Sequence, residues 1–181
     1  MKKRFVILDR DGTIIKHKHH LTNINEVKLI PNVAKAIKKL NSLGLGTIIV
    51  TNQSVVGRSE ISLSDLELIH KKILHLLSAE GAFIDAIYFC PHKPEDNCSC
   101  RKPKFGLIND AIKDHNFDPK LCFVVGDNKT DIELGENLGA TTILVKTGYG
   151  AKVAREKLIT PNIVVNNLYS AVSFIEKEIR K

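Results

Sequence analysis

Four places in this chain set groups capable of chemistry directly after an apolar run. The first, FVILDRDGTI (5–14), puts Asp9 and Asp11 two apart, with Arg10 between them and Gly12 next. Carboxylates at the end of a buried strand must be solvated, paired or bound to a cation, because an unpaired buried charge is very costly. The second place is TNQS, where Thr51, Asn52, Gln53 and Ser54 follow LGTIIV; the third is a cysteine cluster at 90–100; the fourth is GDNKTD, where Asp127 and Asp131 follow LCFVVG. Asp9, Asp11 and Asp127 together would make a hard oxygen site of the kind Mg²⁺ prefers, with waters and phosphate oxygens completing the octahedron. A cation there would offset the repulsion between carboxylates, and Gly12 would let the backbone turn sharply toward a ligand.

The cluster CPHKPEDNCSC reads C-x-H-x5-C-x-C and gathers Cys90, His92, Cys98 and Cys100 within eleven residues. Three thiolates and an imidazole complete a tetrahedral shell, closed and therefore structural, which points to Zn²⁺. Such a knuckle would stiffen a loop with little core of its own and hold the adjacent Arg101 and Lys102 in place. Cys122 stands apart in an apolar strand and reads as a small buried hydrophobe.

The elements that must position these groups alternate between strand-length apolar runs and segments of helical period. Strands are expected at 4–8, 45–50, 84–89, 121–126, 141–146 and 162–165. Helices are expected at 31–44, at about 64–80, at 106–115, near 130–138 and at 168–179. The second of these carries a stripe of Leu66, Ile69, Ile73, Leu76 and Leu77, with a capping box expected from Ser64 and Glu67. Continuous apolar strands separated by helices argue for an α/β fold, a mainly parallel sheet covered on both faces. Ligands of such sheets lie beyond the carboxyl ends of the strands, where strand order reverses. The four polar clusters all follow strands, so they would converge on one edge. Residues 15–30 and 53–62 have weak periodicity and read as loops reaching over the site.

At 181 residues the chain is expected to form one domain, 1–181. No apolar stretch approaches the ~20 residues of a spanning helix, and the N-terminal run is too short for a signal peptide. A cytoplasmic monomer without membrane association is expected. The net charge of +7 sits mostly at the ends, with +3 in residues 2–4 and +3 in residues 151–181, leaving about +1 between them. That distribution shows no basic stripe, and with no tryptophan there is little for base stacking, so nucleic acid is not an expected partner.

DRDGT at 9–13 resembles the D-x-D-G-T signature of the haloacid dehalogenase superfamily, most of whose members are phosphatases. TNQ, CRKP and GDxxxD are similar to its remaining motifs, in the expected order, and the likeness covers about residues 5–147. The resemblance implies a Rossmann-like fold and the following roles. Asp9 would be the nucleophile that forms an aspartyl-phosphate, and Asp11 would be general acid and then base. Asp127 would hold Mg²⁺ with Asp9 and the backbone carbonyl of Arg10 or Asp11. Thr51 and Lys102 would bind the transferring phosphoryl oxygens, and Asp131 would orient Lys102 or a metal-bound water.

The knuckle beside DRDGT narrows the likeness to the D-glycero-D-manno-heptose-1,7-bisphosphate phosphatases and the related histidinol-phosphate phosphatases, which have no large cap domain. The substrate would be a small sugar bisphosphate, dephosphorylated at its 7-position. Histidinol phosphate or another sugar phosphate is the alternative, and a nucleic-acid 3′-phosphate a more distant one. Arg101, Asn52, Gln53, Ser54 and the stretch His17, Lys18, His19 and His20 would approach the substrate. Two positions depart from the family: Asn128 stands where it often has Lys, and HKHH at 17–20 stands where it usually has a Gly-Tyr element. The run from Lys16 to His20 reads equally as a grip on the distal phosphate or as a solvated loop. His70, His75 and His115 fall on helical segments and read as surface or packing residues.

Overall fold

The computed structural model describes residues 3–180. Among them six strands form one parallel sheet: β1 (Phe5–Leu8), β2 (Gly46–Asn52), β3 (Ala86–Cys90), β4 (Phe123–Gly126), β5 (Thr141–Val145) and β6 (Ile163–Val165), in the order β3-β2-β1-β4-β5-β6. The chain runs outward from β1 through β2 to β3, then returns to the other side of β1 with β4. Strand order therefore reverses between β1 and β4, where a crevice opens beyond the carboxyl ends.

Alternation along the strands sends successive side chains to opposite faces, and each face has its own core. Val6, Leu8, Ile49, Val125 and Val145 pack under α1 (Val33–Ser42), α3 (Leu63–Ser78) and α7 (Leu168–Ile179). Phe5, Ile7, Ile48, Val50 and Val124 pack under α4 (Gly106–His115) and α5 (Lys129–Leu138). Helices thus cover both faces of the parallel sheet, the α/β arrangement expected, and among the described residues no cap domain is inserted. No helix among those residues is long and apolar enough to cross a membrane.

The expected elements are present with shifted edges. The segment 121–126 begins as a 3-10 turn at Pro119–Leu121 before β4, because Asp118 caps that turn through the Lys120 N–H. The capping box of α3 forms two residues earlier than expected, from Ser62 and Asp65 rather than Ser64 and Glu67. Ser62 has the extended backbone that an N-cap requires, and the Asp65 carboxylate reaches back to its N–H at 3.0 Å. Two short helices interrupt segments that carry no helical period, α2 (Ser54–Gly57) and α6 (Gly150–Glu156). Each buries a single residue, Val55 in one and Gly150 in the other. So little burial leaves no apolar stripe to see in the sequence.

Candidate active site

Leu8 pairs with Val125 at the end of β1, and the Asp9 N–H donates to the Val125 carbonyl at 2.9 Å. This register sets Asp9 and Asp127 side by side at the two strand ends that flank the crevice. Asp131 joins them from the first turn of α5. Carboxylate oxygens of Asp9, Asp127 and Asp131 all lie within 4.8 Å of one another. Asp127 and Asp131 are each only 2% exposed. The carboxylate of Asp11, expected in this group, points elsewhere: it accepts from the Arg10 guanidinium and from the Gln53 amide.

Among the described residues, Lys102 is the cation that reaches this acidic cluster. Lys102, buried, donates from Nζ to Asp9 Oδ1 at 2.6 Å, to Asp131 Oδ1 at 2.7 Å and to the Val50 carbonyl at 2.5 Å. Burial works against its ammonium, but Asp131 and Asp9 outweigh that and hold its pKa above the usual lysine value. Three carboxylates sharing one ammonium still leave two negative charges in a buried place. Burial, joined by the neighbouring carboxylates and only partly opposed by Lys102, pushes Asp9 up to about 7 and Asp127 up to about 8. An all-oxygen cluster with that surplus charge fits a divalent cation such as Mg²⁺, which would substitute for the protons the acids otherwise retain.

Close backbone approach makes room for Asp127. Gly12 (φ +85°) and Gly148 (φ +55°) press against its carboxylate, and a Cβ on Gly12 would come within 2.6 Å of its Cγ. The Tyr149 N–H donates to Asp127 Oδ2 at 2.7 Å. Asp131 serves two partners: Oδ2 accepts from the Asn128 N–H at 3.0 Å and closes the α5 capping box, while Oδ1 holds Lys102. Asn128 thus stands where it does as the N-cap of α5.

The TNQS residues divide. The Thr51 hydroxyl accepts from Gln53 Nε2 at 2.8 Å. Asn52 clamps Lys102 rather than reaching outward: its Oδ1 accepts from the Lys102 N–H at 3.0 Å and its Nδ2 donates to the Lys102 carbonyl at 3.2 Å. The Gln53 amide is spent on Arg10, Asp11 and Thr51. Ser54 begins α2 at the cavity wall.

A cavity of about 350 Å³ opens over the cluster, and its walls include His17, Lys18, His19, His20, Arg101 and Tyr149. The 17–20 stretch is tied down at several points. His17 packs on Tyr149 with ring centroids 4.2 Å apart, His19 stacks on His20, Lys18 pairs with Glu26, and His20 with Glu60. Arg101 donates to the His92 carbonyl at 3.1 Å, which joins the cavity wall to the knuckle.

In the knuckle the sulfurs of Cys90, Cys98 and Cys100 stand 3.2–3.5 Å apart, and His92 Nδ1 lies 3.3 Å from Cys100 Sγ and 3.7 Å from Cys90 Sγ. A tetrahedral Zn²⁺ with sulfur ligands at ~2.3 Å has ligand edges of roughly 3.7 Å. Four soft donors at that spacing fit zinc, and all three cysteines are free thiols. Burial pushes Cys90 up to about 12, so closing the shell as thiolates requires a cation.

Residue types and spacing alone do not mark Arg10 and His70 as part of the site. Arg10 is 1% exposed and reaches His70 on α3 beneath the site. A signal existed: His70 falls inside the Leu66, Ile69, Ile73 stripe, where an imidazole must find a buried partner.

A HAD-hydrolase-like family model matches residues 99–171. The D-glycero-beta-D-manno-heptose-1,7-bisphosphate 7-phosphatase of Haemophilus ducreyi is 36% identical, covering 97% of this chain and all of the relative. A bifunctional histidine biosynthesis protein of Legionella pneumophila is 37% identical over 76% of this chain, which spans only 40% of that longer protein. Among solved structures, the D,D-heptose 1,7-bisphosphate phosphatase from B. bronchiseptica, complexed with magnesium and phosphate, superposes with a TM-score of 0.91 at 29% identity, covering 97% of this chain and 99% of that one. Likeness of this extent, at 36% identity over nearly the whole chain, means that the chain belongs to the D-glycero-D-manno-heptose-1,7-bisphosphate 7-phosphatase family of haloacid dehalogenase-like phosphatases.

Proposed function

We propose that this phosphatase removes the 7-phosphate from D-glycero-D-manno-heptose 1,7-bisphosphate, with Asp9 as nucleophile. The observation that carries the reading is the meeting of Asp9, Asp127, Asp131 and Lys102 at the strand-order reversal, under a cavity walled by Arg101 and the 17–20 stretch. A carboxylate oxygen of Asp9 bonds to phosphorus while the bond from phosphorus to the sugar oxygen breaks, and that oxygen takes a proton from Asp11. Water then attacks the aspartyl-phosphate and gives its proton to Asp11, releasing phosphate and restoring Asp9. Lys102 would act on the phosphoryl oxygens through its charge, its three N–H groups being held by Asp9, Asp131 and Val50, and Thr51 would donate its hydroxyl proton; preorganised electrostatics of that kind supply a large share of catalysis. Asp9, Asp127 and Asp131 would hold Mg²⁺, with Asp11 contributing through backbone rather than side chain. The ion, when bound, supplies charge neutralisation at the transferring group. Zn²⁺ would occupy the knuckle, and reduced thiols there suit a cytoplasmic setting.

Identity to the histidine biosynthesis protein over 76% of this chain favours histidinol phosphate as the second reading. Phosphate release from the two substrates decides. The expected result is a kcat/KM at least about tenfold higher on the heptose bisphosphate, with turnover abolished in folded Asp9→Asn. A preference for histidinol phosphate would transfer the assignment to that substrate. Retained turnover in Asp9→Asn would remove the covalent route.

A further inference from the structure

Behind Asp11 lies a buried polar assembly that the cation cluster does not use: Arg10 and Gln53 border the cavity, and His70 stands beneath them. The Arg10 guanidinium donates from Nε to Asp11 Oδ2 at 2.9 Å and from Nη2 to Asp11 Oδ1 at 3.1 Å, a two-point grip on the carboxylate. Its Nη2 also donates to Gln53 Oε1 at 2.7 Å, and its Nη1 meets His70 Nε2 at 3.2 Å. Gln53 closes the ring by donating from Nε2 to Asp11 Oδ2 at 2.9 Å. Burial, then the adjacent guanidinium, lower His70 to about 4, so its ring is neutral at pH 7 and Nε2 accepts from Arg10.

We propose that Arg10, Gln53 and His70 are positioning residues that fix the rotamer of Asp11 and confine its proton transfer to Oδ1. A carboxylate offers about four acceptor sites, two on each oxygen. Arg10 Nε and Gln53 Nε2 donate to Oδ2, against which Arg10 Nη2 also lies at 2.9 Å, whereas Oδ1 receives a single donor, Arg10 Nη2 at 3.1 Å. The remaining site, on Oδ1, is the one from which a proton passes to the leaving oxygen and to which the attacking water returns one. A guanidinium holds a carboxylate at two points in one plane, which an ammonium cannot do. His70 and Gln53 in turn fix the guanidinium, so the orientation of Asp11 is set through Arg10 from α3 and from the N-cap of α2.

This inference rests on Asp11 acting as acid and base. Two substrates separate the step it governs: a primary sugar phosphate, whose alkoxide must be protonated to leave, and p-nitrophenyl phosphate, whose phenolate leaves with little help. The readout is the ratio of kcat/KM on the sugar phosphate to that on the aryl phosphate, with melting temperature recorded beside it. In Asp11→Asn the ratio should fall about a hundredfold. In Arg10→Lys, which keeps the charge and loses the planar fork, it should fall at least about tenfold. His70→Leu should lower it about threefold, and His70→Gln, which retains an acceptor for Arg10, should restore it. An unchanged ratio in Asp11→Asn would sink the acid role itself. A fall in Asp11→Asn, with wild-type ratios in folded Arg10→Lys and His70→Leu, would overturn the positioning role alone. If Arg10→Lys does not fold, the two His70 variants decide in its place.

Discussion

At position 70 an imidazole stands inside the apolar stripe of α3, and its environment is readable as a stability term. Its folded pKa of about 4 lies below the usual 6.5, so the unfolded chain binds a proton there more readily than the folded protein does. The stability this contributes is present above about pH 6.5 and is lost as pH falls toward 4. A shift of that size corresponds to about 3 kcal/mol. Urea unfolding of wild type and His70→Leu at pH 7, 5.5 and 4 should show the wild type losing that much more than the variant over the interval. Parallel curves would mean that His70 does not titrate with unfolding. Single residues such as Asp9 and Asp127 were legible because a strand end leaves a carboxylate few options. Arg10 was not, since a charge between two acids reads equally as a solvated loop residue. Its burial depends on Gln53 and His70, which come from elements forty-three and sixty residues away in sequence.

The end of β2 shows how an element can serve two sites at once. The segment after the knuckle carries Lys102 but has little core, and Asn52 holds it to the sheet through both its N–H and its carbonyl. The sequence placed TNQS at a strand end but could not assign its partners, because the contact spans fifty residues. Each neutral hydrogen bond contributes about 1 kcal/mol, so Asn52→Ala should cost about 2 kcal/mol in denaturant unfolding and lower kcat through a loosened Lys102. The knuckle, ending at Cys100, and Asn52, holding the Lys102 backbone, restrain the same short segment. With zinc in the knuckle, as proposed, stripping it should therefore lower melting temperature and activity in wild type, and lower activity further in Asn52→Ala than the two losses combined predict. Losses that simply multiply would show that the two restraints act independently.

Across the whole molecule, a parallel sheet brings distant polar residues together at one edge. Strand periodicity and the order of elements made that convergence legible, while α2, α6 and the 3-10 turns left no trace because they bury almost nothing. Its electrostatic outcome is an acidic pit of three carboxylates and one ammonium in a chain of net charge +7. In the ion-free protein Asp9 and Asp127 have folded pKa values of about 7 and about 8, above their usual 3.8. The unfolded chain releases those protons earlier, so the stability they contribute is fully present below about pH 4 and is lost as pH rises through 7 to 8. Mg²⁺ held by these carboxylates, as proposed, would compete with those same protons, and ligand binding to the folded state alone raises stability with its concentration. Thermal melts after chelation should therefore fall from pH 5 to pH 8.5, and millimolar Mg²⁺ should raise the melting temperature more at pH 8.5 than at pH 5. For a chain of this length each 1 kcal/mol corresponds to about 2–4 °C, so a difference of several degrees is expected. Asp127→Asn should abolish most of the Mg²⁺ response while flattening the pH dependence of the ion-free protein. An equal Mg²⁺ shift at both pH values, or one that survives Asp127→Asn, would place the ion away from these carboxylates and leave their surplus charge without a counterion.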